Sequence, residues 1–171
     1  MAAVNNHFEV GFNLDYYEQD VRSAYQGIVD SQGFAILHDS RLQLVPATVD
    51  FRLLPAGRHA IRGREGRQVL HPVPYFGAGL GFNFWEYEEV GDFVDFSDPL
   101  LPIFPDRFLE SGTTFEAHAL AGLELPVGPA WSVLLEGRYS WSDVTPNGDF
   151  AGLGSLELDG LSAYVGFAFH F

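Results

Sequence analysis

The 171-residue sequence contains no cysteine, no lysine and no long run of apolar residues. Without cysteine, the chain has neither a disulfide scaffold nor a thiolate-ligated metal site. No run approaches the ~18 apolar residues of a membrane-spanning helix. Nucleic acid is a poor partner for a chain with a formal net charge of −14, and no Walker, dinucleotide-binding or zinc motif occurs. What remains is a chain of single-domain length, residues 1–171, whose residue pattern is more informative than its composition.

Apolar and polar residues alternate along six segments of the chain. Successive side chains of a β-strand point to opposite faces, so strict alternation predicts strands with one apolar and one polar face. Each apolar stripe covers about ten residues, which is the length that a tilted strand needs to cross a bilayer. The six segments are residues 7–16, 45–53, 75–84, 115–125, 131–141 and 161–171. The pattern predicts an all-β protein.

Charged residues keep to the polar faces of these segments and do not interrupt the apolar stripes. Those predicted to form an interior polar network are Asp50, Arg52, Glu116, His118, Glu124, Glu136 and Arg138. Alternation alone fits two arrangements, with the polar faces either outside in water or inside under lipid. Aromatic residues at stripe ends, such as Tyr16 and Trp85, favour the second arrangement. The glycines at polar-face positions 79 and 122 also favour it, because residues without a side chain fit the crowded interior of a narrow barrel.

Interior charges of this kind either line a conducting pore or form a salt-bridged plug. We expect the plug, because side chains about fill the interior of an eight-stranded barrel and because buried charges persist when they are paired. Carboxylates outnumber the two interior arginines, Arg52 and Arg138, so the sequence does not assign a charged partner to every acid.

The connections between the predicted strands differ in charge at the two ends. At one end lie a tight Pro/Gly turn, residues 126–130, and a basic link, residues 54–72, which holds Arg58, Arg62, Arg64 and Arg67. At the other end the sequence predicts three long loops, which are residues 20–40, 86–113 and 143–157. The loop of residues 86–113 is strongly acidic and carries much of the net charge.

The acidic loop contains two features with functional interpretations. Asp92, Asp95 and Asp98 recur every third residue and form a candidate site for a cation with oxygen ligands, although they lack the Gly-centred pattern of an EF-hand. The simpler interpretation, which we favour, is a solvated acidic loop. The loop also holds apolar residues that we expect to cover a barrel mouth or to face a partner. They are Phe93, Phe96, Leu100, Leu101, Ile103, Phe104 and Phe108.

Two stretches resemble the OmpA and OmpX type of small outer-membrane barrel, within the "outer membrane protein beta-barrel" domain family. They are V-P-Y-F-G-A-G-L-G-F at residues 73–82 and Y-V-G-F-A-F-H-F at residues 164–171. The resemblance implies an up-and-down antiparallel transmembrane β-barrel in the bacterial outer membrane, with a periplasmic C-terminus. It also implies a barrel-insertion signal, formed by Tyr164, Phe167, Phe169 and Phe171. The implied partners are outer-membrane lipid, lipopolysaccharide and the insertion machinery, with an extracellular partner at the loops.

The sequence departs from that family in its strand count and its first residues. Barrels of this type normally have eight strands and follow a signal peptide, whereas six strands are visible here and residues 1–6 have no signal-peptide pattern. We expect a signal peptide and a first hairpin to lie upstream. The alternatives are a small six-stranded barrel, two chains that close together, or an extra hairpin within residues 24–44, with residues 34–37 as its best candidate strand.

The expected function is structural or surface-interacting, without catalysis, cofactor or resident metal. His118 shares a polar face with Glu116, but no nucleophile accompanies them at a motif spacing. Two alternatives stay open at this point. A soluble lipocalin-like carrier would turn the apolar faces inward around a ligand. A lipid A-modifying enzyme of the outer membrane would depend on His118 or His38.

Overall fold

The computed structural model describes residues 1–57, 71–128, 130–146, 148–150 and 154–169. Its strands are β1 (Ala2–Ala3), β2 (Phe8–Leu14), β3 (Tyr17–Val29), β4 (Ala35–Leu53), β5 (Val73–Val94), β6 (Ile103–Pro126), β7 (Trp131–Trp141), β8 (Asp143–Val144), β9 (Leu156–Glu157) and β10 (Gly160–Phe169). A 3-10 turn covers Gly148–Phe150. Among the described residues, no helix has the length and apolar character that crossing a membrane requires. The described part of the chain is all-β, as the alternation predicts.

Antiparallel ladders join the long strands in chain order. The main sheet runs β1-β2-β4-β5-β6-β7-β10. β3 pairs with the first half of β4 and β2 with its second half, so β2 and β3 form one long run that is interrupted at Asp15 and Tyr16. A separate small ladder joins β8 to β9. The predicted up-and-down antiparallel order is confirmed.

The sheet curls strongly, but no ladder in the described ranges joins β10 to β1, β2 or β3. The curl is evident from side-chain contacts between parts of the chain that are not neighbours in the sheet. Arg138 on β7 lies 3.0 Å from Asp15, which follows β2, and Arg52 on β4 lies 2.5 Å from Glu136 on β7. The pairing therefore shows a curled open sheet of six long antiparallel runs, and closure into a complete barrel stays an expectation.

Two of the three predicted outer loops are wrong, because the strands continue through them. β3 and β4 meet at a turn at residues 30–34, where Asp30 N donates to Phe34 O at 2.8 Å. β5 and β6 meet at residues 95–102, where Asp95 N donates to Pro102 O at 3.0 Å. Residues 20–40 and 86–113 are thus mostly strand. Residues 24–44 do form a hairpin, made of the end of β3, the turn and the start of β4. Its strands continue the first two predicted segments, so it adds no further long run to the sheet.

Cross-strand ion pairs explain why polar residues form strands here. The outward faces of β3 and β4 carry Arg22 and Asp39, whose side chains approach to 2.7 Å, and Arg41 and Asp20, which do the same. Opposite charges on neighbouring strands stabilise a solvent-exposed ladder, as apolar pairs stabilise a ladder that is shielded from water. A sequence that reads as a charged loop can therefore extend a sheet beyond its apolar part.

The remaining connections are described only in part. The region of residues 143–157 holds β8, β9 and the 3-10 turn rather than a featureless loop. In the turn after β6, Val127 N donates to Trp131 O at 3.0 Å, in agreement with the predicted tight connection. The four arginines of the basic link lie outside the described residues, and so does Phe171.

The apolar faces of the strands point outward. On β5 the exposed side chains Phe76, Leu80, Phe82 and Phe84 follow one another, and β4 and β6 present similar faces beside them. The continuous apolar band ends at the paired row Gln43, Glu86 and Ser111. Above this row the outward faces mix charged residues with separate apolar ones such as Leu37, Val90 and Leu109.

The inward faces form three layers along the strands. An apolar floor of Leu54, Val73, Tyr75 and Leu120 lies at the end where β4 stops and β5 starts. A polar layer of charged side chains follows it. Aromatic side chains occupy the far end, where the ring of Phe93 lies 4.8 Å from that of Phe108, and the ring of Phe150 lies 5.0 Å from that of Tyr87.

Candidate functional site

Arg138 on β7 is the centre of the interior polar layer. Its Nη1 donates to Asp15 Oδ2 at 3.0 Å, and its Nη2 donates to Glu136 Oε1 at 3.1 Å and lies 3.4 Å from Asp50 Oδ2. Its guanidinium also lies 4.8 Å from the ring centre of Tyr164 on β10. One cation thereby links three strands and the segment after β2, which accounts for much of the curl of the sheet.

Arg52 on β4 forms the second cationic centre. Its Nη2 donates to Glu136 Oε2 at 2.5 Å, and its guanidinium carbon lies 4.6 Å from the ring centre of Tyr75. The Tyr75 hydroxyl donates to the same Glu136 oxygen at 3.1 Å. Glu136 therefore receives donors at both carboxylate oxygens, as a buried carboxylate requires.

His118 on β6 lies between two carboxylates and is fully buried. Its Nε2 is 3.0 Å from Asp50 Oδ1, and its Nδ1 is 3.4 Å from Glu116 Oε1 without hydrogen-bond geometry. Ser140 Oγ donates to the same Glu116 oxygen at 3.3 Å. The imidazole thus extends the network from β4 to β6.

Two glycines make this arrangement sterically feasible. Gly79 on β5 is paired with Asp50 on one side and with His118 on the other, and these two side chains meet above it. A Cβ at Gly79 would lie 2.3 Å from His118 Nε2 and 2.5 Å from Asp50 Oδ1. Gly122 on β6 lies in the same way beneath the contact of Tyr75 with Glu136. A bare central position lets the residues on either side interact across it.

The structure places the residues predicted for the interior network on the inward faces of their strands. Asp50, Arg52, Glu116, His118, Glu136 and Arg138 are buried and joined by the contacts above. Glu124 is buried on the same face of β6 but lies nearer the apolar floor, at the level of Val73. The charged groups of this layer are largely paired, as the predicted plug requires.

Several members of the network were not singled out from the sequence. They are Asn13, Asp15, Thr48, Tyr75 and Ser140. Each of them already lies on a polar face of the predicted segments, so taking every residue of those faces, and not only the seven selected ones, would have included them. Tyr164, assigned from the resemblance to an insertion signal, faces Arg138, whereas Phe167 and Phe169 are exposed on the outward face of β10.

The predicted loop cation site is not formed. Asp92 is part of β5, where it pairs with Pro105, and the other two carboxylates serve the turn. Asp95 Oδ1 accepts hydrogen bonds from Ser97 Oγ at 2.6 Å and Ser97 N at 2.8 Å, which hold the pKa of Asp95 below its ordinary value. Asp98 Oδ1 accepts from Leu100 N at 2.9 Å. No group of three or more metal-ligating side chains occurs in the described ranges.

His38 and its neighbours point to opposite sides of β4. The His38 ring lies 5.5 Å from the rings of Tyr25 and Phe93 in the aromatic layer, while Asp39 is exposed and paired with Arg22. The three residues at 38–40 therefore do not converge on one site. Of the apolar residues noted in this region, Phe93 is buried among aromatic rings, whereas Phe96 and Leu100 are exposed at the turn.

Comparison with protein-family models, with curated proteins and with solved structures gave no match for this chain. Interpretation of the site therefore depends on its geometry. That geometry is a buried, cross-linked ionic layer inside a sheet whose outer surface is apolar.

Proposed function

We propose that this chain is an integral protein of the bacterial outer membrane, whose curled antiparallel sheet crosses the bilayer around an interior plugged by the polar network. In this proposal the C-terminus is periplasmic and the charged ends of the β3–β4 and β5–β6 hairpins are extracellular. The role is structural or surface-interacting, without catalysis. The partners are outer-membrane lipid, lipopolysaccharide and the insertion machinery, with an extracellular partner at the hairpins.

The inverted polarity of the sheet is the observation that carries the proposal. In water, apolar area is buried and charge is exposed, because transfer of apolar surface out of water is favourable. Here the relation is reversed: Leu80 is 53% exposed, whereas Asp50 is completely buried. The exposed apolar residues are also contiguous across neighbouring strands, and soluble monomers rarely expose a patch of that extent. Exposed apolar faces around buried charges are stable when lipid hydrocarbon, and not water, surrounds the sheet.

The dimensions of the apolar band agree with a bilayer. On β5 it extends from Phe76 to Phe84, where outward Glu86 follows. Eight steps of ~3.3 Å give about 26 Å along the strand, or about 20 Å after a tilt of ~40°. Aromatic pairs lie toward the two ends of β7, where the rings of Tyr139 and Trp141 meet edge-on at 5.0 Å and those of Trp131 and Phe169 lie 4.8 Å apart. Membrane barrels have apolar bands of about 25 Å with aromatic girdles.

The rival functions have less support from the same contacts. A soluble carrier of an apolar ligand needs an apolar interior, whereas the middle layer here contains paired Asp50, Glu136 and Arg138. A lipid-modifying enzyme needs a nucleophile or an activated water beside its base. In the described part of the chain, both ring nitrogens of His118 face carboxylates.

A matched pair of leucine substitutions tests the proposal. Leu80 lies in the middle of the apolar band, whereas Leu109 lies on the outward face of β6 above the band, opposite Glu88, and is 42% exposed. We expect Leu80→Arg to reduce insertion into lipid vesicles by about 2–4 kcal/mol, the cost of arginine at a bilayer midplane, and Leu109→Arg to have little effect. The readout is the heat-dependent gel shift of the folded protein after refolding into vesicles.

Two results would contradict the membrane proposal. If the wild-type chain folds as a monomer in buffer without detergent, its apolar surface does not require lipid. If Leu80→Arg and Leu109→Arg fold into vesicles equally well, the surface around Leu80 does not contact hydrocarbon.

A further inference from the structure

A cavity of about 510 Å³ lies beside the polar network, between β10 and the segment where β2 passes into β3. Its size falls in the range of small-molecule binding pockets. Its polar wall includes Asp15, Asn83, Glu116 and Arg138, and its apolar wall includes Leu44 and Leu161. The cavity opens where no ladder joins β10 to β2 or β3 in the described part of the sheet. It is therefore both amphipathic and accessible from the side.

The polar wall offers hydrogen-bond acceptors to a ligand. Asn83 is only 2% exposed, and its side-chain Oδ1 has no hydrogen-bond partner within the described residues. A buried acceptor of this kind costs free energy until a donor reaches it. In the described part of the chain, the polar contacts of Glu116 with His118 and Ser140 both involve Oε1. Glu116 Oε2 is thus left for a donor from the cavity.

The charge around the cavity selects a cation. In the described part of the chain, the acidic and basic side chains that line the cavity are Asp15, Glu116, Glu157, Asp159 and Arg138. Carboxylates therefore outnumber cations in its wall, and the lining is net negative. Arg138 does not attract an anion here, because its two terminal nitrogens already contact three carboxylates.

We infer that this cavity binds an amphipathic organic cation, a primary ammonium group with a short apolar chain. The ammonium donates to Glu116 Oε2 and Asn83 Oδ1, and the apolar chain lies against Leu44 and Leu161. An ammonium supplies three donors and the missing positive charge, which neither a neutral alcohol nor a carboxylate does. This inference uses the lining of the folded sheet and goes beyond the structural role proposed above.

The test is a titration of the folded chain of residues 1–171 with hexylamine hydrochloride, hexan-1-ol and sodium hexanoate at neutral pH. The readout is the side-chain amide resonance of Asn83 in a ¹H–¹⁵N NMR spectrum, identified by its loss in Asn83→Leu. We expect saturable shifts with hexylamine, at least tenfold weaker binding of hexanol, and no saturable shift with hexanoate. Glu116→Gln should weaken hexylamine binding at least tenfold, and the outward-facing Glu88→Gln should leave it unchanged.

The inference is overturned if hexylamine gives no saturable shift, in which case the cavity holds only water. It is also overturned if hexanol or hexanoate binds as tightly as hexylamine, because charge then plays no part. The wild-type comparison of the three probes stands even if Glu116→Gln fails to fold. The heat-dependent gel shift is recorded on the same samples, so failure of the membrane proposal, seen as folding in buffer alone, is distinguished from failure of the ligand to bind.

Discussion

His118 and Asp50 meet directly above Gly79, with Nε2 and Oδ1 3.0 Å apart, although the three residues lie on three different strands. The contact depends on the missing side chain of the central strand. We expect Gly79→Ala to separate the pair and to lower the free energy of unfolding by about 1–3 kcal/mol, the usual cost of overpacking. Urea unfolding of the refolded protein measures this change.

The control for that substitution is Gly137→Ala on β7. A Cβ at Gly137 would meet no atom within 4 Å, so we expect an unchanged or slightly higher free energy of unfolding. Equal destabilisation by the two alanines would mean that the position above Gly79 is not sterically closed.

The Arg52–Glu136 pair is predicted to be strongly coupled, because both side chains are buried. Removing one partner deprives the other buried charge of this counter-ion, which costs up to about 3–5 kcal/mol, although Glu136 keeps its contacts with Arg138 and Tyr75. We expect Arg52→Met and Glu136→Gln each to destabilise by that order. The double variant should lose less than the sum of the two, by about 1–3 kcal/mol. A double-mutant cycle in urea measures the coupling.

The exposed pair Arg22 and Asp39 provides the comparison for this cycle. Solvent screens such pairs, so its cycle should show little coupling. Additive effects at Arg52 and Glu136 would show that their contact does not contribute to the folded state.

Phe150 is predicted to hold the aromatic layer at the far end of the sheet. It is 4% exposed, and its ring contacts Tyr87 edge-on. We expect Phe150→Ala to keep the heat-dependent gel shift but to accelerate proteolysis near residues 95–102 and 143–150, since loss of a buried phenylalanine costs about 3–5 kcal/mol locally. Leu100→Ala, at a position 87% exposed, should change neither readout. Loss of the gel shift in Phe150→Ala would mean that the layers fold as one unit.

The pKa of Asp39 is predicted to lie below its ordinary value of 3.8, because Arg22 donates hydrogen bonds to its carboxylate. A depressed folded-state pKa means that the pair stabilises the hairpin above the ordinary value and that this contribution is lost as the pH falls through the depressed one. NMR titration of the Asp39 carboxyl carbon checks the prediction. Arg22→Gln should return the pKa toward its ordinary value, whereas Arg41→Gln, which removes the partner of Asp20, should not.

Alternation was sufficient to predict the strands and their faces, but not their ends. The segment of residues 75–84 lies within β5, and all of its predicted polar-face residues point inward. The prediction stopped at Phe84 because the outward residues after it are acidic. The structure continues β5 to Val94, since Glu88 pairs with Arg107 on β6. The acidic composition of residues 86–94 predicts a loop. These residues form a strand because they pair with β6, which is distant in sequence.

In the candidate site, too, the sequence predicts the faces on which residues lie, whereas the structure shows which residues meet. Parity predicted that Asp50, His118 and Arg138 lie on the polar faces of their strands, and it equally covers Asp15 and Asn83, whose importance appears only from their contacts. The prediction of a cation site at residues 92–98 is wrong. Equal spacing along the chain does not bring the three carboxylates together, because Asp92 is in a strand and Asp95 and Asp98 accept hydrogen bonds within the turn.

The sequence by itself determined the all-β fold and which side chains share a face, because the two-residue period is a local property of the strand backbone. The up-and-down antiparallel order was implied by the resemblance, and the strand pairing confirms it. Only the tertiary structure decided that the charged faces turn inward and which charges meet. Arg138 reaches Asp15 across 123 residues of sequence because the sheet curls. That curl depends on the register and small residues of every strand at once, which no local pattern encodes.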